Sequence, residues 1–239
     1  GGGTSDFSLV RVGPARRGRA ERKDDILANH GLHVAGTDFD RHIELACILP
    51  ACGYRSHGPT GREVPSKVYF DLATWHLINT VYVPSRVAEL ARIKSFYADP
   101  RLHSRLMAVV QQRLGHALVA RAEAAKIAVA EGGDTALDLQ AIADGLRVEL
   151  SAAQAVAALD ADLKRIVDAA ADTLRLAGVG GERVDALYFT GGSTALAPLA
   201  RRIAALCPAA RVVQGDRLAS VAQGLGVHAL RVFGAASVD

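Results

Sequence analysis

Three short stretches carry residues whose types and spacing suit nucleotide chemistry. The first is Gly1-Gly2-Gly3-Thr4-Ser5-Asp6, ahead of the β-favouring Phe7, Leu9, Val10 and Val12. Glycine N–H groups and a threonine hydroxyl can donate to phosphate oxygens, and a nearby carboxylate can hold a hydrated Mg²⁺. The second is the pair Glu123 and Lys126, three residues apart on a helical pattern and therefore on one face. The third is Gly191-Gly192-Ser193-Thr194, which follows the run Val184 to Thr190 and precedes an apolar-periodic segment with Leu196, Leu199, Ile203 and Leu206. Glycines in a strand-to-helix turn let the backbone approach a ligand because no Cβ intervenes. The N–H groups at the helix start then favour oxyanions or polar rings. Each stretch also has a plain structural reading: a flexible glycine start, an exposed ion pair worth about 0.2–0.5 kcal/mol, and a well-capped loop.

The surrounding pattern shows which elements would position these groups. Gly13-Pro14 turns the first strand, and Asp24 to Asn29 is short and mixed. Thr37 or Asp38 can cap a helix bearing Phe39, Ile43 and Ala46, with Asp38, Asp40 and Glu44 in its first turns. Pro50 to Pro84 is irregular and reads as a loop-rich insertion holding Trp75. Arg86 to Tyr97 is helical. Pro100 opens a long helix in which Leu102, Leu106, Val110, Leu114 and Leu118 recur every four residues, continuing to Ala130. Thr135 to Leu139 and Leu146 to Leu150 alternate around Asp144-Gly145, as a two-strand pairing does. Ser151 caps a second long helix that Gly178 stops. A strand, the Gly191-Gly192 turn, a helix from Pro198, a strand at Arg211 to Gln214 and a final helix from Leu218 to Phe233 complete an α/β pattern.

Composition narrows the function classes. A net charge of +3 is mild, and the cluster Arg16, Arg17, Arg19, Arg22 and Lys23 is diluted by Glu21, Asp24 and Asp25, with no interleaved aromatic residue. That is a solvated loop, and nucleic acid is not an expected partner. Charges break every apolar run well short of a membrane span, so no membrane partner is expected either. Cys47, Cys52 and Cys207 form no zinc or redox spacing, and their odd number argues against a disulfide scaffold. His30 and His33, in a loop, and His42 lack a third ligand at metal-binding spacing. With no signal peptide in view, the expected compartment is the cytoplasm. The glycine start and the single methionine, Met107, point to a fragment of a longer protein.

Taken in order, GGGTSD at the start, AEAAK in the mid-chain helix and YFTGGSTALAP near the end resemble the second lobe of the actin/Hsp70 ATPase superfamily. Ala35-Gly36-Thr37-Asp38-Phe39-Asp40 resembles the Hsp70 stretch GGEDFD, and Ser220 to Gly226 is similar to the helix that follows the adenosine loop. The insertion between Leu49 and Pro100, with a chain end soon after the last helix, looks like the YegD-like branch, which lacks a peptide-binding domain. The resemblance implies an α/β, ribonuclease H-like lobe. Residues 1–36 and 152–239 would form its core (subdomain IIA-like), and 37–151 a largely helical inserted subdomain (IIB-like).

It also implies ATP or ADP with Mg²⁺ as ligands and an Hsp70-like chaperone ATPase as the parent. Gly1, Gly2, Gly3 and Thr4 would line the β- and γ-phosphates, with Thr4 and Asp6 at the catalytic end and Asp6 reaching Mg²⁺ through water. Glu123 and Lys126 would contact ribose and base, and Gly191, Gly192 and Ser193 would wall the adenosine slot. The implied partners are a nucleotide, an N-terminal lobe of the same protein that supplies the remaining phosphate contacts, and protein clients or co-factors. Without that lobe, the fragment is expected to be catalytically inactive.

Departures from the family pattern are Ala195 in place of an adenine-stacking arginine, Ile127 in place of a basic residue, Ala130 in place of serine, and Asp216 out of register. Loss of a stacked arginine removes about 1 kcal/mol of attraction and predicts weaker adenine affinity. Two alternatives remain: a non-catalytic interaction module derived from the ATPase fold, and a small-molecule kinase of the same superfamily.

Overall fold

The computed structural model describes residues 2–16, 21–216 and 219–234; Gly1, Arg17, Arg19 and Leu218, invoked above, lie outside them. The chain is mixed α/β and divides into two compact units, Gly1–Gly36 with Ala161–Asp239, and Thr37–Asp160.

In the first unit, β1 (Ser5–Val10) pairs antiparallel with β2 (Ile26–Leu32), with an irregularity at Leu9/Val10. The sequence alone predicts a short mixed segment at Asp24 to Asn29 and a loop at His30. The structure corrects both: the strand runs through Asn29, His30 and Gly31, and His30 faces Phe7 across the ladder. Asp25, just before β2, is almost fully buried and takes ion pairs from Arg16 and Arg22. The hydrogen bond from Arg22, helped by Arg16, holds its carboxyl below the usual range. Part of the basic cluster therefore serves the hairpin's base rather than a ligand.

The last third alternates as its pattern predicts. β5 (Ala186–Phe189) runs parallel to β6 (Arg211–Gln214), and α8 (Ala197–Ala204) connects them with Pro198 in its first turn. Leu196, Leu199 and Ile203 of the expected apolar stripe are buried, whereas its fourth member, Leu206, is only half-buried and Cys207 is buried beside it. The final helix, α9 (Ser220–Phe233), leaves Val221, Leu225, Leu230 and Phe233 exposed.

The second unit is mostly helical. α1 (Gly36–Ile43) continues into a π-helical turn, Glu44–Ile48, and a 3₁₀ turn, Leu49–Cys52. Gly53 ends this run at φ 103°. A Cβ there would sit 2.6 Å from the Tyr97 ring and 2.9 Å from the Tyr69 hydroxyl. Those two tyrosines share a buried hydrogen bond of 2.8 Å, and Tyr69 donates to the Cys52 carbonyl at 2.9 Å. Both the left-handed backbone and the close approach therefore require glycine.

The expected loop-rich insertion is instead well packed. It holds α2 (Lys67–Leu72), α3 (Ile78–Val81) and α4 (Pro84–Arg92), and Tyr54, Val64, Val68, Leu72, Ile78 and Val81 are core residues.

The single helix expected from Pro100 to Ala130 is two, α5 (Pro100–Gln111) and α6 (Gly115–Ala130). Arg113 adopts φ 55° between them. The Gly115 N–H donates to the Tyr82 hydroxyl at 2.9 Å, and a Cβ on Gly115 would lie 2.6 Å from Ile78. Contact with α3 thus breaks a helix whose leucine spacing alone would carry it through. β3 (Thr135–Asp138) and β4 (Arg147–Leu150) pair antiparallel as the alternation predicts. α7 (Ala152–Ala177) follows, and the division between units falls inside it. Ser151 caps it: its hydroxyl accepts from the Gln154 N–H at 3.2 Å, while its own N–H donates to the Gln154 side chain at 2.9 Å.

Candidate functional site

The sequence-derived site residues divide between the units. Gly2, Gly3, Thr4, Asp6, Gly191, Gly192 and Ser193 belong to the first, and Glu123 and Lys126 to the second.

At the start of β1, Gly2 and Gly3 are exposed, with open space where side chains would stand. The Thr4 hydroxyl donates to the Asp6 carboxylate at 2.8 Å. Asp6 lies opposite Gly31 in the ladder, and a Cβ on Gly31 would be 2.8 Å from its Oδ1. The bare glycine leaves room for the carboxylate to lean over β2. Thr4 and Asp6 are thus drawn together at one end of the hairpin by a local bond and a missing side chain.

The Gly191 loop sits at the carboxyl end of β5, where open α/β layers place their ligands. Gly191 has φ 88°, a conformation that favours glycine. Gly192–Ala195 then forms a 3₁₀ turn, and Thr194 closes it by donating from its hydroxyl to the Gly191 carbonyl at 2.7 Å. The Ser193 hydroxyl is buried and has no hydrogen-bond partner among the described residues. A buried hydroxyl normally finds a partner, and the turn itself does not supply one. At the neighbouring strand end, the Thr190 hydroxyl donates to the Asp216 carbonyl at 3.2 Å, and the Asp216 carboxylate accepts from the Ala219 N–H at 2.7 Å, ahead of α9.

In the second unit, Glu123 is exposed on α6, whereas Lys126 is largely covered. Lys126 Nζ lies 2.6 Å from Asp40 Oδ1 on α1, with only 17% and 9% of the two side chains exposed. Burial pushes the Asp40 carboxyl up from its ordinary value, against the hydrogen bond and charge of Lys126; the Glu123 charge pushes the same way as burial. One turn further on, at the start of the π-helical turn, Glu44 is completely buried, and neither carboxylate oxygen has a hydrogen-bond partner among the described residues. Burial, then the Asp40 charge, raises its carboxyl well above the usual range.

The sequence reading found Lys126 but not its buried partner as a site residue. The available signal is Asp40 and Glu44, one turn apart and each directly following a core residue, Phe39 and Ile43. Beside Asp40 opens a cleft of about 170 Å³ whose walls include Asp38, Arg41, Trp75, His76 and Val119. Among the described residues, no group of three or more His, Cys, Asp or Glu could hold a metal ion. No helix among them is long and apolar enough to cross a membrane. No protein-family model matches the chain.

Proposed function

We propose that this chain is the nucleotide-binding lobe of an Hsp70-like ATPase and binds an adenosine nucleotide with Mg²⁺. The observation that carries the reading is the buried Ser193 hydroxyl, without a hydrogen-bond partner among the described residues, in a Gly191-Gly192 turn at a strand's carboxyl end. A nucleoside hydroxyl or ring nitrogen is the kind of polar group that would satisfy it. The residues of the hairpin fit the phosphate end in the same way. Gly2 and Gly3 are exposed with open space where side chains would stand, Thr4 contributes a hydroxyl, and Asp6 supplies one carboxylate. A lone carboxylate suits Mg²⁺ that keeps most of its waters and takes its remaining oxygens from phosphate. Bound Mg²⁺ would neutralise phosphate charge, and the hairpin's part would be to orient those oxygens. Glu123 belongs to the second unit, and its proposed contact with the ribose rests on the family resemblance alone.

Calorimetric titration of the chain with Mg-ADP and Mg-ATP tests this reading. Weak saturable binding is expected. Ser193→Ala should weaken it about three- to tenfold, the usual worth of one hydrogen bond, and Glu123→Ala should act in the same direction. Absence of binding would sink the proposal. It would favour a second reading, a non-catalytic interaction module, which the exposed Val221, Leu225, Leu230 and Phe233 of α9 support.

A further inference from the structure

We propose that the loop 53–64 and the adjoining segment 92–96 form a docking surface for an acidic protein segment, a run of aspartate and glutamate with a large apolar residue among them. The surface lies wholly within the Thr37–Asp160 unit, and the inference does not depend on nucleotide binding.

Close backbone contact holds the two segments together. A Cβ on Gly58 would stand 2.5 Å from the Phe96 carbonyl oxygen, so only glycine lets the loop come this near. The Gly58 N–H donates to the Arg62 carbonyl at 2.7 Å, and His57 bridges to Glu63, which closes the loop into a narrow hairpin. At the base of the loop, Gly53 sits against the ring of Tyr97, the residue after Phe96. The loop therefore lies along the 3₁₀ turn Ile93–Phe96 that follows α4.

Three properties of the surface define its partner. First, its charge is unbalanced. Arg55, Arg62, Arg92 and Lys94 are exposed, and none of them has an ion pair among the described residues. Glu63 is the one carboxylate within the two segments, and the next acid along the chain, Asp99, is held by Arg101 at 2.9 Å. A surface of this sign draws in an acidic partner and turns away a basic one. Second, Arg55 is fixed in place. It holds φ 60°, a left-handed backbone uncommon for any residue but glycine, and its guanidinium lies 5.3 Å from the centre of the Tyr54 ring. Strain of this kind gathers where a side chain must be held for use. The Arg55 N–H donors have no hydrogen-bond partner among the described residues, and a carboxylate accepts from such a fork through both oxygens. Third, Phe96 stands 51% exposed beside these cations. An apolar side chain of the partner would cover it and anchor the charged contacts.

The same features disfavour nucleic acid. Phe96 is the one exposed Phe, Tyr or Trp of the two segments, whereas single strands stack on successive aromatic platforms. Glu63 would also oppose a continuous phosphate backbone, while a peptide can space its carboxylates around it.

Fluorescence anisotropy with a labelled peptide of alternating aspartate and glutamate and one central leucine is the test. Saturable binding is expected at low ionic strength, and added salt should weaken it because exposed charges carry it. Arg55→Ser, Arg62→Ser and Lys94→Ser together should weaken it about tenfold. The thermal midpoint should hold, because all three side chains are exposed. Arg62→Ser alone should cost about two- to fivefold, which keeps the test open if the triple variant fails to fold. Phe96→Ser should abolish the preference for the leucine peptide over one with serine at its centre. Arg147→Ser removes an exposed arginine from β4, outside the surface, and should leave affinity unchanged. No binding at low salt would overturn the proposal. So would an equal loss in Arg147→Ser and Arg62→Ser, which would show attraction to net charge alone. Tighter binding of an oligothymidylate of equal length would assign the surface to nucleic acid and overturn it as well.

Discussion

Lys126→Met is expected to destabilise the Thr37–Asp160 unit by about 3 kcal/mol, the usual cost of removing one member of a buried ion pair. Methionine keeps the length and apolar stem of lysine, so the loss isolates the charge. Asp40 would be left 6% exposed in the core without its ammonium. Protonation offers the carboxyl partial relief, since burial already raises its pKa. The measurement is thermal unfolding at pH 8, where that relief is least, and Asp40→Asn added to Lys126→Met should recover much of the loss. An unchanged midpoint in the single variant would show that the pair contributes nothing. Loss of nucleotide binding in a Lys126 variant is therefore ambiguous without an unfolding curve. Glu123→Ala is the cleaner probe, because its side chain is exposed.

The opposite sign is expected one turn away. Glu44→Leu should stabilise the same unit by about 1–3 kcal/mol at pH 8, because a buried polar group with no hydrogen-bond partner among the described residues is replaced by one that needs none. The pH dependence follows from the raised carboxyl. Below its ordinary value of 4.5 the group is neutral in folded and unfolded chains alike. As the pH climbs past 4.5, the unfolded chain releases the proton while the folded chain keeps it. Stability then falls by up to about 1.4 kcal/mol per pH unit until the raised folded value is reached. Asp40, shifted the same way by burial, adds to the slope. Denaturant midpoints collected between pH 5 and pH 8 should thus decline in the wild type and decline less in Glu44→Leu and Glu44→Gln. Parallel pH curves for all three would refute the assignment.

What could be read from the sequence was local. Ser151 with Gln154, the alternation around Asp144-Gly145, and the strand, glycine turn and helix from Ala186 to Ala204 all announce themselves within a few residues. β2 does not, because Asn29, His30 and Gly31 dilute its apolar alternation and its pairing with β1 is what makes it a strand. The break before Gly115 was equally hidden, since Tyr82 and Ile78 impose it from a distant stretch of chain. The same holds at the candidate site. Ser193 is marked by its neighbours, whereas the Asp40 partner of Lys126 and the cleft at Trp75 exist only once α1, α2 and α6 are assembled.

The three cysteines give the protein a built-in clock. All are free and buried, Cys47 and Cys52 in one unit and Cys207 in the other. Burial pushes the Cys47 thiol up to about 11 and Cys52 to about 12, and raises Cys207 as well. Only a thiolate attacks an alkylating reagent, so in the native state each sulfur is doubly protected, by packing and by its proton. Modification then waits for the surrounding structure to open. Because the peptides carrying Cys207 and the Cys47–Cys52 pair separate by mass, a single alkylation time course would time the opening of each unit independently.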